Sequence, residues 1–273
     1  MANPKISVIM PAYKAEKYIG EAIESILNQT FKDFELIIIN DASPDKTLDI
    51  INSYTRNDPR IKVFSNEQNL YIAATRNRGI ELAQGKYIVW QDADDIAYPE
   101  RLAKLYNFME SNPEVGICGS FLEIFDEKNN RHVREYKTTD RDLRSSIFRY
   151  SPVSQPSAII RKECFNKVGL YNLDMPPAED IEMSFRIGEL YEFANLPEPL
   201  IKYRLHSNSA TFLKLKTMEE NTLKSRQKFK NSKSYKFTFY DYVYNALQKN
   251  SSLIMPMSFR IHLFNIIRRL KFI

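Results

Sequence analysis

Tyr87-Ile-Val-Trp-Gln-Asp-Ala-Asp-Asp-Ile-Ala-Tyr-Pro-Glu-Arg101 is the stretch from which the rest of the chain can be read. Tyr87 to Trp90 are β-branched or aromatic, the composition of a buried strand. Asp92, Asp94 and Asp95 follow at once, and helical spacing resumes after Pro99, so three carboxylates occupy the turn beyond a strand's carboxyl end. In open α/β sheets ligands bind along that edge. Carboxylates this close repel one another unless a cation or donors neutralise them. A hard divalent ion with oxygen ligands is the natural partner. The plain alternative is an acidic loop with one Asp capping the next helix.

Upstream, Lys5 to Met10 is an apolar run, and Pro11-Ala-Tyr13 reads as the turn after a first buried strand. Ile19, Ala22, Ile23, Ile26 and Leu27 fall at helical spacing, and Phe34 to Ile39 is an unbroken apolar strand closed by Asn40-Asp41. Ser43-Pro-Asp45 predicts an N-cap and first turn for a helix through Tyr54. Ile61 to Phe64 gives a third strand, and Leu70 to Ala83 a helix carrying Arg76, Asn77 and Arg78. Four strands alternating with helices predict right-handed crossovers and a mostly parallel sheet, which lines up Pro11 to Tyr13, Asp41 and Asp92 to Asp95 on one edge. Downstream the pattern loosens. Helix is predicted over Leu102 to Met109, strand over Gly116 to Phe125, and a loop or hairpin over Asp126 to Thr139. A short strand at Ser157 to Ile160, helices at Glu163 to Val168 and Ile181 to Leu190, and a last strand at Leu200 to Ser207 complete the reading.

With 273 residues and 43% hydrophobic content the chain can bury a core, as one main α/β domain with an appendage. No apolar run approaches the roughly 18 residues of a membrane span, and no signal peptide is visible, so the expected location is the cytoplasm. Cys118 and Cys164 sit among apolar residues and read as buried thiols. The net charge of +5 is uneven: from Thr211 to Ile273 thirteen Lys/Arg face three acids, leaving this tail at +10 and the rest at −5. Within it Phe259, Leu263, Ile266, Ile267, Leu270 and Ile273 share one helical face, and Arg260, Arg268, Arg269 and Lys271 lie largely elsewhere. That is the pattern of a basic amphipathic helix. It fits packing on the main domain, a homodimer, or peripheral contact with an anionic inner-membrane surface.

No glycine-rich phosphate cradle occurs, and only seven glycines are present. A metal-bridged diphosphate is the alternative. A divalent ion on Asp94 would bind both phosphates of a nucleotide-sugar and neutralise the departing nucleoside diphosphate. Asp41 would accept from a base N–H and Asp92 from ribose hydroxyls.

The segments Ser7 to Tyr13, Ser25 to Phe31, Asp33 to Ser43, Thr75 to Gly79, Gly85 to Asp95 and Glu179-Asp180, spanning about residues 5 to 207, resemble the family 2 inverting glycosyltransferases of the GT-A fold, of the bacterial polysaccharide or lipopolysaccharide type. The resemblance implies a Rossmann-like nucleotide half over about 1–98, an acceptor half over about 99–210 and a basic helical extension over 211–273. It implies that Pro11, Tyr13, Asp41, Arg76 and Asp92 line the nucleotide pocket, that Asp92 and Asp94 form an Asp-x-Asp site for Mn²⁺ or Mg²⁺, and that Asp180 is the general base. The Tyr203-Arg-Leu-His-Ser207 turn resembles a segment that closes over the diphosphate, which makes His206 a phosphate or metal contact. Asp95 and Glu179 are further candidates, the latter as an alternative base. Lys14 stands where the family often has Asn, Tyr71 where it often has Gly, and Gln91 where an apolar residue is common; Tyr71 and Gln91 are expected to alter the pocket wall. Without the resemblance, Glu179-Asp180 could merely favour a helix dipole and Arg76 be a solvated charge.

The implied activity is transfer of a hexose or N-acetylhexosamine from a UDP-sugar to a hydroxyl of a glycan or lipid-linked glycan, in capsule, lipopolysaccharide or other cell-surface polysaccharide synthesis. A non-catalytic GT-A-like subunit of a synthesis complex is the alternative, and a nucleotidyltransferase a weaker third that has no use for a base at Asp180. No nucleic-acid partner is expected.

Overall fold

The computed structural model describes residues 3–128, 130–206 and 214–254. Strands β1 (Ile6–Ala12), β2 (Phe34–Asn40), β3 (Ile61–Ser65) and β4 (Tyr87–Trp90) form a parallel half-sheet, in the order β3-β2-β1-β4. Helices α1 (Ile19–Leu27), α2 (Thr47–Thr55) and α3 (Tyr71–Leu82) make the crossovers. The strands read as unbroken apolar runs because both faces are covered. Val8, Leu36, Ile38 and Val89 pack with α1, α2 and the helix α4 (Arg101–Ser111), while Ile9, Ile37, Ile39, Ile88 and Trp90 point to the other face. Gly79 lets α3 lie close on β1, since a Cβ there would stand 2.4 Å from Ile9 Cγ2. That close approach brings Arg76 over the sheet edge.

The second half joins through antiparallel pairs. After β4 come β8 (Ile159–Arg161), β6 (Val115–Asp126), β9 (Glu192–Leu205) and β5 (Ile96–Ala97), and β7 (Arg131–Arg134) hangs on β6 as a hairpin. β6 and β9 run parallel, with register shifts at Ser120 to Leu122 opposite the Pro197 and Pro199 segment. Helices α5 (Asp140–Arg144), α6 (Lys162–Val168) and α7 (Glu179–Gly188) follow the chain. Two further helices, α8 (Leu215–Phe229) and α9 (Phe239–Ile254), pack back on the body. Phe229 stacks on Phe185 of α7 at 4.9 Å and 3°, Tyr235 Oη donates to Phe185 O (2.6 Å), and the buried pair Arg149–Asp241 (2.6 Å) anchors α9.

Several expectations are corrected. Pro11 and Ala12 still belong to β1. α2 begins at Thr47, not at Ser43, because Asp45 Oδ1 accepts from Thr47 N and Oγ1 in a local turn and Ser43 Oγ bonds Ala12 O instead. β5, α5 and the full length of β9 go beyond the sequence pattern, and α7 starts two residues earlier than Ile181, which puts both Glu179 and Asp180 in its first turn. Lys14 and Tyr71 adopt φ of 53° and 64°, left-handed values at which Asn and Gly are the easier residues. Both cysteines are buried thiols, and burial pushes that of Cys164 up to about 12. The amphipathic pattern of residues 259–273 lies outside the described residues.

Candidate active site

The acid turn is held from beneath. Gln91, fully buried at the end of β4, donates through Nε2 to Asp92 O (3.0 Å) and Asp95 O (2.8 Å), which closes the turn. Arg101 in the first turn of α4 is equally buried, and it donates to Gln91 Oε1 (2.8 Å), Trp90 O (2.8 Å) and Pro156 O (2.7 Å). Burial draws its pKa down to about 10, with Asp95 and Asp92 opposing, so it stays charged at neutral pH. Gln91 therefore lies under the turn rather than in a pocket wall. Asp95 is fully buried; its Oδ1 accepts from Arg204 N (2.9 Å), while Oδ2 is buried with no partner. Burial first, then Asp94 and Asp92, hold its carboxyl well above the usual range.

The end of β9 reaches this turn because Ile96 and Ala97 pair with Lys202 and Ile201. Arg204 Nε donates to Asp94 O (2.9 Å) and its guanidinium sits 4.5 Å from the Tyr18 ring and 4.7 Å from that of Phe125. Two residues on, His206 Nε2 stands 2.8 Å from Asp94 Oδ2, with its ring 5.3 Å from Tyr18. Among the described residues no three metal-ligating side chains converge. A hexacoordinate ion that arrives with a diphosphate needs only one or two protein ligands, and an octahedral edge at bonds of about 2.1 Å is about 3 Å long. The Asp94–His206 pair fits that edge, its carboxylate suits Mn²⁺ and Mg²⁺ alike, and the unpartnered oxygen of Asp95 belongs to the same turn.

Along the edge of the parallel half-sheet, Tyr13 is 44% exposed just beyond β1. Asp41 is buried at the tip of β2, where Oδ1 accepts from Asn66 Nδ2 (2.6 Å) and Leu70 N (2.8 Å). Arg76 is buried, with Nη1 2.7 Å from Glu179 Oε1 and Nη2 3.6 Å from Asp92 Oδ1, and it lies 5.4 Å from the Trp90 ring. Burial opposes its charge, but Glu179 and Asp92 overcome this and hold its pKa above the ordinary value. Arg76 thus bridges the acid turn to α7. Asp92 is half-buried, and burial, then Asp94, raise its carboxyl against the pull of Arg76.

α7 presents the last pair. Glu179 is buried on Arg76, whereas Asp180 is half-buried and among the described residues its carboxylate accepts only from the adjacent Ile181 N (2.8 Å). Burial and then the neighbouring Glu179 push Asp180 up to about 6, with Arg76 opposing. α8 braces this helix: Asn221 Nδ2 donates to Pro176 O (3.0 Å) and Lys228 Nζ to Glu182 Oε1 (2.8 Å).

The fold therefore gathers Asp92, Arg76, Glu179 and Asp180 into one connected line and Asp94, Asp95 and His206 into another, both starting from the acid turn. Sequence reasoning missed Arg101, Arg204 and Asn221. Arg101 left a signal, as a charge on the Arg101, Leu105, Met109 stripe that is otherwise apolar, and Arg204 lies in the Tyr203 to Ser207 turn from which only His206 is singled out. A cavity of about 510 Å³ opens at the opposite end of β9, lined by residues including Pro113, Arg144, Gly188 and Tyr191, and none of the candidate residues borders it.

Comparison with known proteins bears on the family and the fold. The family model described as "Glycosyl transferase family 2" matches residues 7–169. An uncharacterized glycosyltransferase of Haemophilus influenzae is 38% identical over 218 residues, 76% of this chain and 68% of that relative. Among solved structures, S. aureus TarS 1–349 in complex with UDP-GlcNAc superposes with a TM-score of 0.71 at 20% identity, over 93% of this chain and 77% of that one. Of a longer TarS chain the present sequence spans 44%. A mannosyltransferase from Pyrobaculum calidifontis, in complex with GDP-Man and Mn²⁺, gives a TM-score of 0.66 at 16% identity, over 93% of this chain and 71% of that one. At such identities the likeness is one of fold.

Proposed function

The chain belongs to glycosyl transferase family 2, with the α/β architecture of GT-A glycosyltransferases, and from that premise we propose that it moves a hexose or N-acetylhexosamine from a UDP-sugar to a hydroxyl of a glycan acceptor, with inversion. The setting is the cytoplasmic assembly of a cell-surface polysaccharide, capsule or lipopolysaccharide. The donor occupies the half up to about residue 98 and the acceptor the half from about 99 to 210.

The observation that carries this reading is the division of labour between adjacent acids. Glu179 is tied to Arg76 at 2.7 Å, while among the described residues Asp180 has no cationic partner at that range, and burial with the neighbouring Glu179 pushes its carboxyl up to about 6. A base works best when its pKa lies near the working pH, because it is then both ionised and able to take a proton. In the proposed step the acceptor oxygen forms a bond to the anomeric carbon as the carbon–oxygen bond to the diphosphate breaks, and the hydroxyl proton passes to Asp180. Arg76 keeps Glu179 from competing and holds Asp92 where a ribose hydroxyl would donate to it. Asp41, with Oδ1 already engaged by Asn66 and Leu70, keeps Oδ2 for a base N–H, and Pro11 and Tyr13 form the adjacent wall. Mn²⁺ or Mg²⁺ bound by Asp94 and His206 would supply neutralisation of the departing UDP.

Asp180→Asn keeps size and reach but removes basicity. Transfer should fall at least about 100-fold, with UDP binding by calorimetry within a few fold of wild type. Near-normal turnover would remove Asp180 as base and point to Glu179. Joint loss of turnover and UDP binding would make its role structural.

A further inference from the structure

Among the described residues, α9 turns an unpartnered aromatic face outward. Phe239, Tyr240, Tyr242, Val243 and Leu247 are 75, 67, 63, 37 and 52% exposed. At 100° per residue, Phe239, Tyr240, Val243 and Leu247 fall within a sector of about 100°, with Tyr242 on its flank. Asp241 on the opposite face, and Tyr244 and Ser251 between it and the exposed sector, are buried on the body. The helix is fixed in this attitude by Asp241 on Arg149 (2.6 Å), by Asn245 Nδ2 on Phe148 O (3.0 Å) and by Arg226 of α8 on Asn245 and Gln248. Its apolar side is therefore held away from the core.

Charge selects the occupant. The single acid of α9, Asp241, is turned inward against a buried arginine, so the outward face carries none. Exposed Lys233 and Lys236 stand just before it, and residues 255–273 add four Lys/Arg and no acid. Two copies meeting through this face would bring two segments of +10 together, which opposes self-association. An anionic surface meets no such opposition. Phe and Tyr beside lysine are the residues that settle at the boundary between lipid headgroups and acyl chains.

We infer that the outward face of α9 is a docking surface for an anionic lipid bilayer, with its aromatic side chains among the headgroups and the flanking lysines on lipid phosphates. This deepens the proposed activity by bringing a lipid-carried acceptor within reach, and for that consequence it rests on that reading; the surface itself is read from α9 alone.

The test is cosedimentation of the full-length protein with vesicles of phosphatidylglycerol and phosphatidylcholine, against phosphatidylcholine alone, at low and high salt. Binding should require the anionic lipid and be reversed by salt. Val243→Ser with Leu247→Ser should weaken it at least about tenfold, and Lys233→Glu with Lys236→Glu should weaken it and flatten the salt dependence. Thermal melting and UDP binding should not change in either variant, since all four side chains face solvent or its margin. Undiminished binding in the serine variant, equal binding to neutral vesicles, or a concentration-dependent dimer that the serine variant abolishes without any vesicle binding would each overturn the inference. Vesicle binding without transferase activity would sink the proposed activity and leave this surface standing.

Discussion

Arg101→Met should destabilise the protein by about 3–5 kcal/mol and loosen the acid turn, and the figure can be built from the bonds it removes. The guanidinium makes three hydrogen bonds of 2.7 to 2.8 Å in a fully buried site. Bonds to a charged donor contribute about 1.5–3 kcal/mol each, a gross loss of about 4.5–9 kcal/mol. Removing the charge also removes the cost of burying it, which is several kcal/mol and accounts for the smaller net value. In a chain of this size each kcal/mol shifts Tm by about 2–3 °C, so a drop of roughly 6–15 °C is expected in a thermal melt. Turnover measured well below that melt should fall too, because Gln91 loses the anchor through which it fixes the Asp92 and Asp95 carbonyls. Arg101→Lys should not restore either quantity, since one ammonium cannot reproduce the guanidinium's fork onto three acceptors, two at Trp90-Gln91 and one at Pro156. A methionine variant melting within about 2 °C of wild type, with normal turnover, would refute the account.

Glu179→Gln removes the neighbouring charge that raises Asp180 and leaves Arg76 less compensated, and both changes favour the carboxylate. The acid limb of the kcat/KM profile, expected near pH 6 in the wild type, should move to lower pH, and a limb that stays or rises would contradict the link. Asp94→Ala should abolish transfer and EDTA should silence the wild type, whereas full activity in EDTA would rule out the metal assignment. His206→Ala should raise the Mn²⁺ concentration needed for half-maximal turnover at least about tenfold; an unchanged requirement would leave His206 as a positioning partner of Asp94 only.

The parallel half-sheet was legible because each strand is buried on both faces and therefore unbroken in its hydrophobicity, and the acids stood out because strand ends are where polar residues first reappear. What pairs with what was not legible. β5 is two residues long and exists only because β9 lies beside it, more than a hundred residues away in sequence. Arg76 gave no local sign that its partner would be Glu179, 103 positions on, and so read as a nucleotide contact or a solvated charge. Gln91, a polar residue where an apolar one is common, suggested a pocket wall; its amide instead satisfies two backbone carbonyls and a buried arginine, bonds that no linear pattern encodes. The Ser43 cap failed for a related reason, since that hydroxyl is drawn to Ala12 O on the neighbouring strand.

The stacking of Phe229 on Phe185 bears on how small this protein can be made. A fragment ending before Leu215 would keep every candidate catalytic residue, yet it would open to water the faces of Phe185 and Phe148 that Phe229, Tyr235 and Phe237 cover. Each such ring buries about 150–250 Å², and an apolar patch of that extent invites aggregation. Trimming would also remove Asn221 from Pro176 and Lys228 from Glu182, so the shortened chain would be sticky where it was cut and slack where it does its chemistry.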